Sequence, residues 1–337
     1  MTALVDPAAT RPRAVDTAPW AAAVWAVVFL ALSSLALVGR TPHPWSPEEA
    51  SPLGALNAEQ MSWTLAVTAA LVLGGQGIAC LARTPVTVRI AGWALVGLGT
   101  LVAVAISDVR ALAFLGYLPM TLLALIGVGP AAGRVDAGLF VDSAAAVGHA
   151  VGGVAIAVTG YVALARARSL DGGGRTRRKR WVRWGPSAVA VSVVVPLLYA
   201  VTRIAWALDI PLGIRRSMLD DLGSGRYAGL GLALFAVAGA WLTSGLQARW
   251  GEVFWSWLPR VGARPVPLAL ALVPGLFVAG AVLSAGLSFW RLVLVGGLAE
   301  VPGARSDWAA WAPELLWPVW GVALALACLA YLERRTT

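Results

Sequence analysis

Residues 166–184, RARSLDGGGRTRRKRWVRW, hold eight of the 26 Lys and Arg residues of the chain, including its one lysine, Lys179, and divide the rest into two apolar halves of similar length. A block of that charge does not enter hydrocarbon, and in multi-pass proteins it stays on the cytoplasmic side. On either side of it, apolar runs of about 20 residues recur, the length a helix needs to cross a bilayer. They cover residues 20–38, 61–81, 90–106, 144–164, 186–208, 228–246, 266–289 and 315–332.

Composition agrees: 59% of residues are hydrophobic and 13% charged, whereas a soluble domain carries about 25% charged residues. The fold class is therefore all-α, a polytopic transmembrane helical bundle of eight or nine spans. The expected layout is a disordered cytoplasmic tail 1–18, a first transmembrane half 19–164, a basic cytoplasmic linker 165–185 and a second transmembrane half 186–337. Residues 20–38 exceed a signal-peptide core and lack a small-residue cleavage site, so they read as an uncleaved first span.

Residues 111–133 decide between eight and nine crossings. They are uncharged but broken by Pro119 and several glycines. If they cross, fifteen basic residues lie with the linker and ten opposite; if 111–129 instead dips in and returns, the division is seventeen to eight. The positive-inside bias favours the second arrangement, with both chain ends cytoplasmic and the acidic, proline-rich segment 40–60 external.

Two further patterns stand out. Trp250, Val253, Phe254, Trp257 and Leu258 recur at helical spacing opposite Arg249, Glu252, Ser256 and Arg260, which predicts an interfacial helix at 249–260. Residues 105–118 align with 286–299, Ser107 and Arg110 falling opposite Ser288 and Arg291, and so suggest a parallel 4+4 internal repeat.

Ionisable and amide side chains inside apolar runs need a partner or a task. The candidates for an interior polar cluster are Arg203, Asp142, His149, Arg110 and Gln76, with Tyr117 and Tyr199 beside them. Arg203 reads either as a snorkelling anchor beside Trp206 and Asp209 or as a clamp for a substrate carboxylate or phosphate. Asp142 and His149, seven residues apart, share a helix face that could relay protons or bind a cation. The alternative makes Asp142 an N-terminal cap and gives His149 a hydrogen bond to a neighbouring helix. Gly148 and Gly152 form a GxxxG pattern, which points to close helix packing.

The net charge of +9 sits mainly in short loops and implies membrane lipids, with anionic headgroups at the basic linker, rather than nucleic acid. Cys80 and Cys328 are isolated in apolar runs, so no disulfide or zinc site is expected, and no nucleotide, metal or other cofactor motif occurs.

The stretches 195–214 and 246–274, with the near-total use of Arg over Lys, resemble a group of multi-pass membrane proteins from high-GC actinobacteria. The resemblance implies a location and a layout and carries over no catalytic residue. The first functional expectation is a transporter-like handler of a small molecule or lipid. Two alternatives stay open: an intramembrane enzyme acting on a lipid-linked substrate, and a noncatalytic scaffold or assembly subunit.

Overall fold

A computed structural model describes residues 13–49, 51–127, 137–171, 179–297 and 303–335. Ten α-helices follow one another in these stretches: α1 (Arg13–Leu37), α2 (Ala58–Leu81), α3 (Pro85–Leu101), α4 (Arg110–Leu125), α5 (Ala137–Leu170), α6 (Lys179–Ala207), α7 (Arg216–Leu222), α8 (Arg226–Ser244), α9 (Leu268–Leu294) and α10 (Trp317–Arg335). Eight of the helical stretches are long and apolar enough to cross a membrane. Leu81, Ile90, Leu242 and Val322 stand exposed along them, which suits hydrocarbon rather than water as the surrounding solvent. The ambiguous segment forms α4, whose 16 residues reach only about 24 Å. It packs against α5, α8 and α9 and is not one of the eight. Its continuation, with Arg134 and Asp136, lies outside the described residues, as do residues 172–178 of the basic linker.

The two halves are built alike. In the first, α3 packs along α5, and α1 packs on α2 and α5; in the second, α9 packs along α10, and α6 packs on α8 and α10. So α1, α2, α3 and α5 correspond in order to α6, α8, α9 and α10. The contact between α2 and α3 has no comparable counterpart between α8 and α9.

Details of the last helices agree with that correspondence. Near the end of α5, Arg166 donates to the carbonyls of Ala79, Cys80 (2.9 Å) and Ala82, which close α2. Near the end of α10, Arg334 donates to the Leu246 carbonyl just beyond α8. Both place a cation at the negative end of a helix dipole. Thirteen residues before each arginine stands a glycine, Gly153 and Gly321, opening GVAIA and GVALA respectively.

Those glycines let the helices touch. A Cβ on Gly153 would lie 2.6 Å from the Gly99 carbonyl oxygen on α3, and one on Gly321 would lie 2.7 Å from that of Ala279 on α9. Of the sequence's GxxxG pair, Gly152 does meet the Trp25 indole, but nothing lies within 4 Å of a Cβ on Gly148. The close approach of α5 to α3 is made instead by Gly153 and Gly160 against Gly99 and Gly92.

The halves meet where α3 widens into a π-helical turn, Val102–Ile106, packed against both α5 and α9. There Gly280 faces Ala103, and Phe277 joins the core of the first half. Such one-turn widenings recur at functional places, and this one ends directly at Ser107, Asp108 and Arg110.

Three sequence expectations are corrected. Residues 249–260 are not a helix: a 3₁₀ turn, Arg249–Gly251, leads into a short antiparallel contact between Val253 and Pro265. Phe254 N–H donates to Arg264 O (3.0 Å) and Val266 N–H to Glu252 O (2.9 Å). Pro259 and Gly262 work against a helix, and Arg260 and Ala263 take left-handed φ of 70° and 58°. The indoles of Trp241, Trp250 and Trp255 instead pack mutually, centroids 4.8, 5.8 and 6.1 Å apart, and Trp257 stacks on Trp255 at 5.8 Å. A helix would put residue 255 well away from the face shared by 250 and 257. Second, α6 starts at Lys179, inside the expected linker 165–185, and carries Pro186 within it. Together with the run of α5 to Leu170, this shortens the linker, because arginine is a good helix former. Third, α1 starts at Arg13, inside the expected tail.

Candidate functional site

His149 lies on α5, seventeen residues before the capping Arg166, with no part of its surface exposed. The first helix of the same half brings Trp25 and Phe29, one turn apart, against it: the ring centroids lie 5.9 and 4.3 Å from the imidazole. A third ring arrives from the loop between α1 and α2, where Trp45 meets the imidazole edge-on at 5.0 Å. Among the described residues, neither His149 ring nitrogen has a hydrogen-bond partner; nor do the indole N–H groups of Trp25 and Trp45, nor the hydroxyls of Ser33 and Ser51. A neutral imidazole carries one donor and one acceptor, and each buried polar group left unpaired costs about 1–3 kcal/mol. The expected hydrogen bond from His149 to a neighbouring helix is thus absent, and aromatic faces take its place.

Over the Trp45 ring lies Arg110, its guanidinium carbon 4.0 Å from the indole centroid. Arg110 is held from below by Asp108, wholly buried, whose carboxylate accepts from its backbone N–H (2.9 Å) and its Nε (3.0 Å). To present that carboxylate, Asp108 takes a left-handed φ of 55°, a conformation aspartate tolerates better than most residues. Ser107, just before it, donates to the Ala146 carbonyl on α5 (3.0 Å), which ties this corner to the helix bearing His149. Arg110 also donates to Ser46 O (2.8 Å). Arg291, its counterpart in the internal alignment, reaches the same loop from the other half, donating to Glu49 O and, at 3.4 Å, to Ser51 O. A loop of 20 residues thus lies across the first half with one arginine of each half holding its backbone.

The second half has a polar site in the corresponding place. Arg203, near the end of α6, donates to Glu314 Oε1 (2.6 Å) and Ala309 O (2.9 Å). Its guanidinium stacks on Tyr199 and Trp206, at 4.5 and 4.2 Å. Glu314 is 3% exposed and its second oxygen has no partner. Asp209, the acid expected beside Arg203, is engaged instead by Arg216 (2.8 Å) and Arg226 (2.6 Å). Arg203 therefore stacks on Trp206 as an anchor would, but it is turned inward to an acid on another helix. Seventeen residues before Arg334 stands Trp317, the positional equivalent of His149; it too sits among aromatic rings, Tyr199 and Phe289, with its indole N–H unpaired.

The structure thus brings Arg110 and His149 to one site and places Arg203 in another, both toward the end of the bundle away from the basic linker. Gln76 is at the opposite end, donating to Pro19 O (2.9 Å), and joins α2 to the start of α1. The side chains of Asp142 and Tyr117 lie outside the described residues. Asp142 is the sixth residue of α5, so it is not that helix's N-cap. The partners that sequence reasoning missed are Asp108, Trp45 and Glu314. Asp108 and Glu314 border apolar runs, and nothing local separates them from ordinary loop acids.

Outside the spans, Arg215 clamps Asp307 with its backbone N–H (2.7 Å) and its guanidinium (2.8 Å). That guanidinium holds the Asp307 carboxyl below the ordinary aspartate range. A depressed folded-state value contributes stability above the unfolded value and loses it as pH falls through the folded one. Amide protection at residues 303–312 should therefore stay constant from pH 8 to 5 and fall below about pH 4. Asp307→Asn should be weakly protected at every pH; a wild-type protection factor unchanged at pH 2.5 would contradict this assignment.

No protein family model, curated protein or solved structure matches the chain.

Proposed function

We propose that this chain is a transporter-like membrane protein that binds a small, uncharged, hydrogen-bonding molecule at His149. The basic end faces the cytoplasm and the loop between α1 and α2 faces outward. The reading rests on one observation: a wholly buried imidazole with both nitrogens unpaired, next to two indole N–H groups that are also unpaired. Orphaned groups gathered in one place are a stability deficit that an entering ligand with donors and acceptors relieves. Among the described residues the site holds no unpaired acid to attract a cation, and its arginine is neutralised by Asp108. Arg203 and Arg110 do not converge on a shared acid, the arrangement an enzyme acting on a lipid-linked substrate would need.

The purified protein, screened by thermal shift against neutral heterocycles, sugars, amino acids, carboxylates and organic cations, should be stabilised by at least one uncharged class. His149→Phe should abolish that response and raise the melting temperature of the unliganded protein, because it removes two orphaned nitrogens worth about 1–3 kcal/mol each. If no class separates the variant from the wild type, the assignment is wrong. Orientation is tested separately. With Cys80 and Cys328 replaced by alanine, a cysteine at Ser46 should react with an impermeant maleimide added outside intact cells, and one at Thr10 should not.

A further inference from the structure

We infer that Trp45 occupies the place of the ligand, and that the site takes a planar aromatic or heteroaromatic molecule. This rests on the proposed binding role of His149 and names the class of molecule bound there. Trp45 is 3% exposed although it belongs to a loop. One face of its indole carries the Arg110 guanidinium at 4.0 Å and its ring meets the His149 imidazole edge-on at 5.0 Å. That is the surrounding a flat aromatic ligand would seek: a cation over the π face and polarised ring edges around it.

The indole has the apolar fit of a bound ring but not its hydrogen bonds, since its N–H is unpaired and so are both imidazole nitrogens. A heteroaromatic ligand of similar width, free of the backbone tether, can turn its ring nitrogen or carbonyl toward His149 and pair what Trp45 leaves unpaired. The loop itself is held largely through its backbone: Arg110 takes Ser46 O, and Arg291 takes Glu49 O and Ser51 O. Because those arginines come from different halves, withdrawing Trp45 means releasing a strap that spans both. Ligand entry is therefore linked to movement of the halves against each other. The π-helical turn that ends at Ser107, packed on α9, lies where that movement would be felt.

The test uses the full-length chain in detergent micelles, with Cys80 and Cys328 replaced by alanine and indole as the probe. Ser51 belongs to the loop and is fully buried, so Ser51→Cys reports loop withdrawal through its rate of maleimide labelling. Saturating indole should raise that rate by about tenfold or more in the presence of native Trp45. Trp45→Leu, which keeps apolar bulk without a π face, should bind indole more tightly than the wild type because the internal competitor is gone. Arg110→Ala should weaken indole binding in that same background.

Indole binding to Trp45→Leu without any change in Ser51→Cys labelling when Trp45 is present would overturn the proposal, since Trp45 would then be ordinary packing. No binding to either protein would overturn it as well. If indole fails while His149→Phe still abolishes the response to another uncharged class, the planar class is wrong and the binding role of His149 stands. If His149→Phe changes nothing, the binding role itself falls.

Discussion

Replacing Arg203 with alanine is expected to destabilise the protein by about 3–5 kcal/mol, the usual result of stripping one partner from a buried ion pair. The variant leaves the Glu314 carboxylate 3% exposed with neither oxygen paired to a side chain, and removes the donor to Ala309 O. It also uncovers the faces of Tyr199 and Trp206. Arg203→Lys should recover only part of the loss, because an ammonium cannot stack on two rings and reach both acceptors with a planar fork. The double variant Arg203→Met with Glu314→Leu should recover most of it, since an apolar pair of similar volume removes the desolvation cost of both charges. Unfolding followed by circular dichroism in mixed micelles measures all three. A loss below about 1 kcal/mol for Arg203→Ala would place the pair in water-like surroundings, contrary to its burial.

Much of the layout was legible in the sequence for a simple reason: hydrocarbon solvation acts on whole segments, so runs of apolar residues and the arginines that flank them report crossings almost directly. The alignment of Arg110 with Arg291 was also a sound signal, and both side chains reach the same loop. Where the reading went wrong, the deciding interactions join residues distant in sequence. The helical spacing of Trp250, Phe254 and Trp257 is real, but Trp241 on α8 gathers Trp250 and Trp255 into one indole cluster and Pro259 opposes the helix. Asp209 lies close to Arg203 along the chain, yet Glu314, 111 residues away, is its partner. His149 was visible as an unusual residue in a span, whereas its cage was not, since Trp45 arrives from a loop and Trp25 from another helix. The correspondence of Gly153 with Gly321 becomes convincing only through geometry: short apolar words such as GVAIA and GVALA recur by composition alone, and the shared arginine cap gives them a register.

That register leads to a contrast within one helix. Gly153→Ala should cost about 1–3 kcal/mol, as overpacking of a tight interface does, while Gly148→Ala, five residues away on α5, should cost nothing measurable. The added methyl is the same in both. At position 153 it would lie 2.6 Å from the Gly99 carbonyl oxygen and 2.7 Å from the Ala103 Cα, atoms of backbone that no rotamer change can move aside. At 148 it meets nothing within 4 Å, and alanine's better helix propensity offsets any residual strain. Gly321→Ala should repeat the cost in the second half, where Ala279 O stands 2.7 Å from the added carbon. Gly153→Leu should go further and separate α3 from α5. Since α3 runs through the π-helical turn into Ser107, Asp108 and Arg110 at the start of α4, that separation should also raise maleimide labelling of Ser51→Cys without indole, a readout that a loss confined to the helix interior would not move. Equal melting temperatures for Gly153→Ala and Gly148→Ala would mean that α3 and α5 do not approach as closely as their glycines allow, and the shared construction of the two halves would lose its main support.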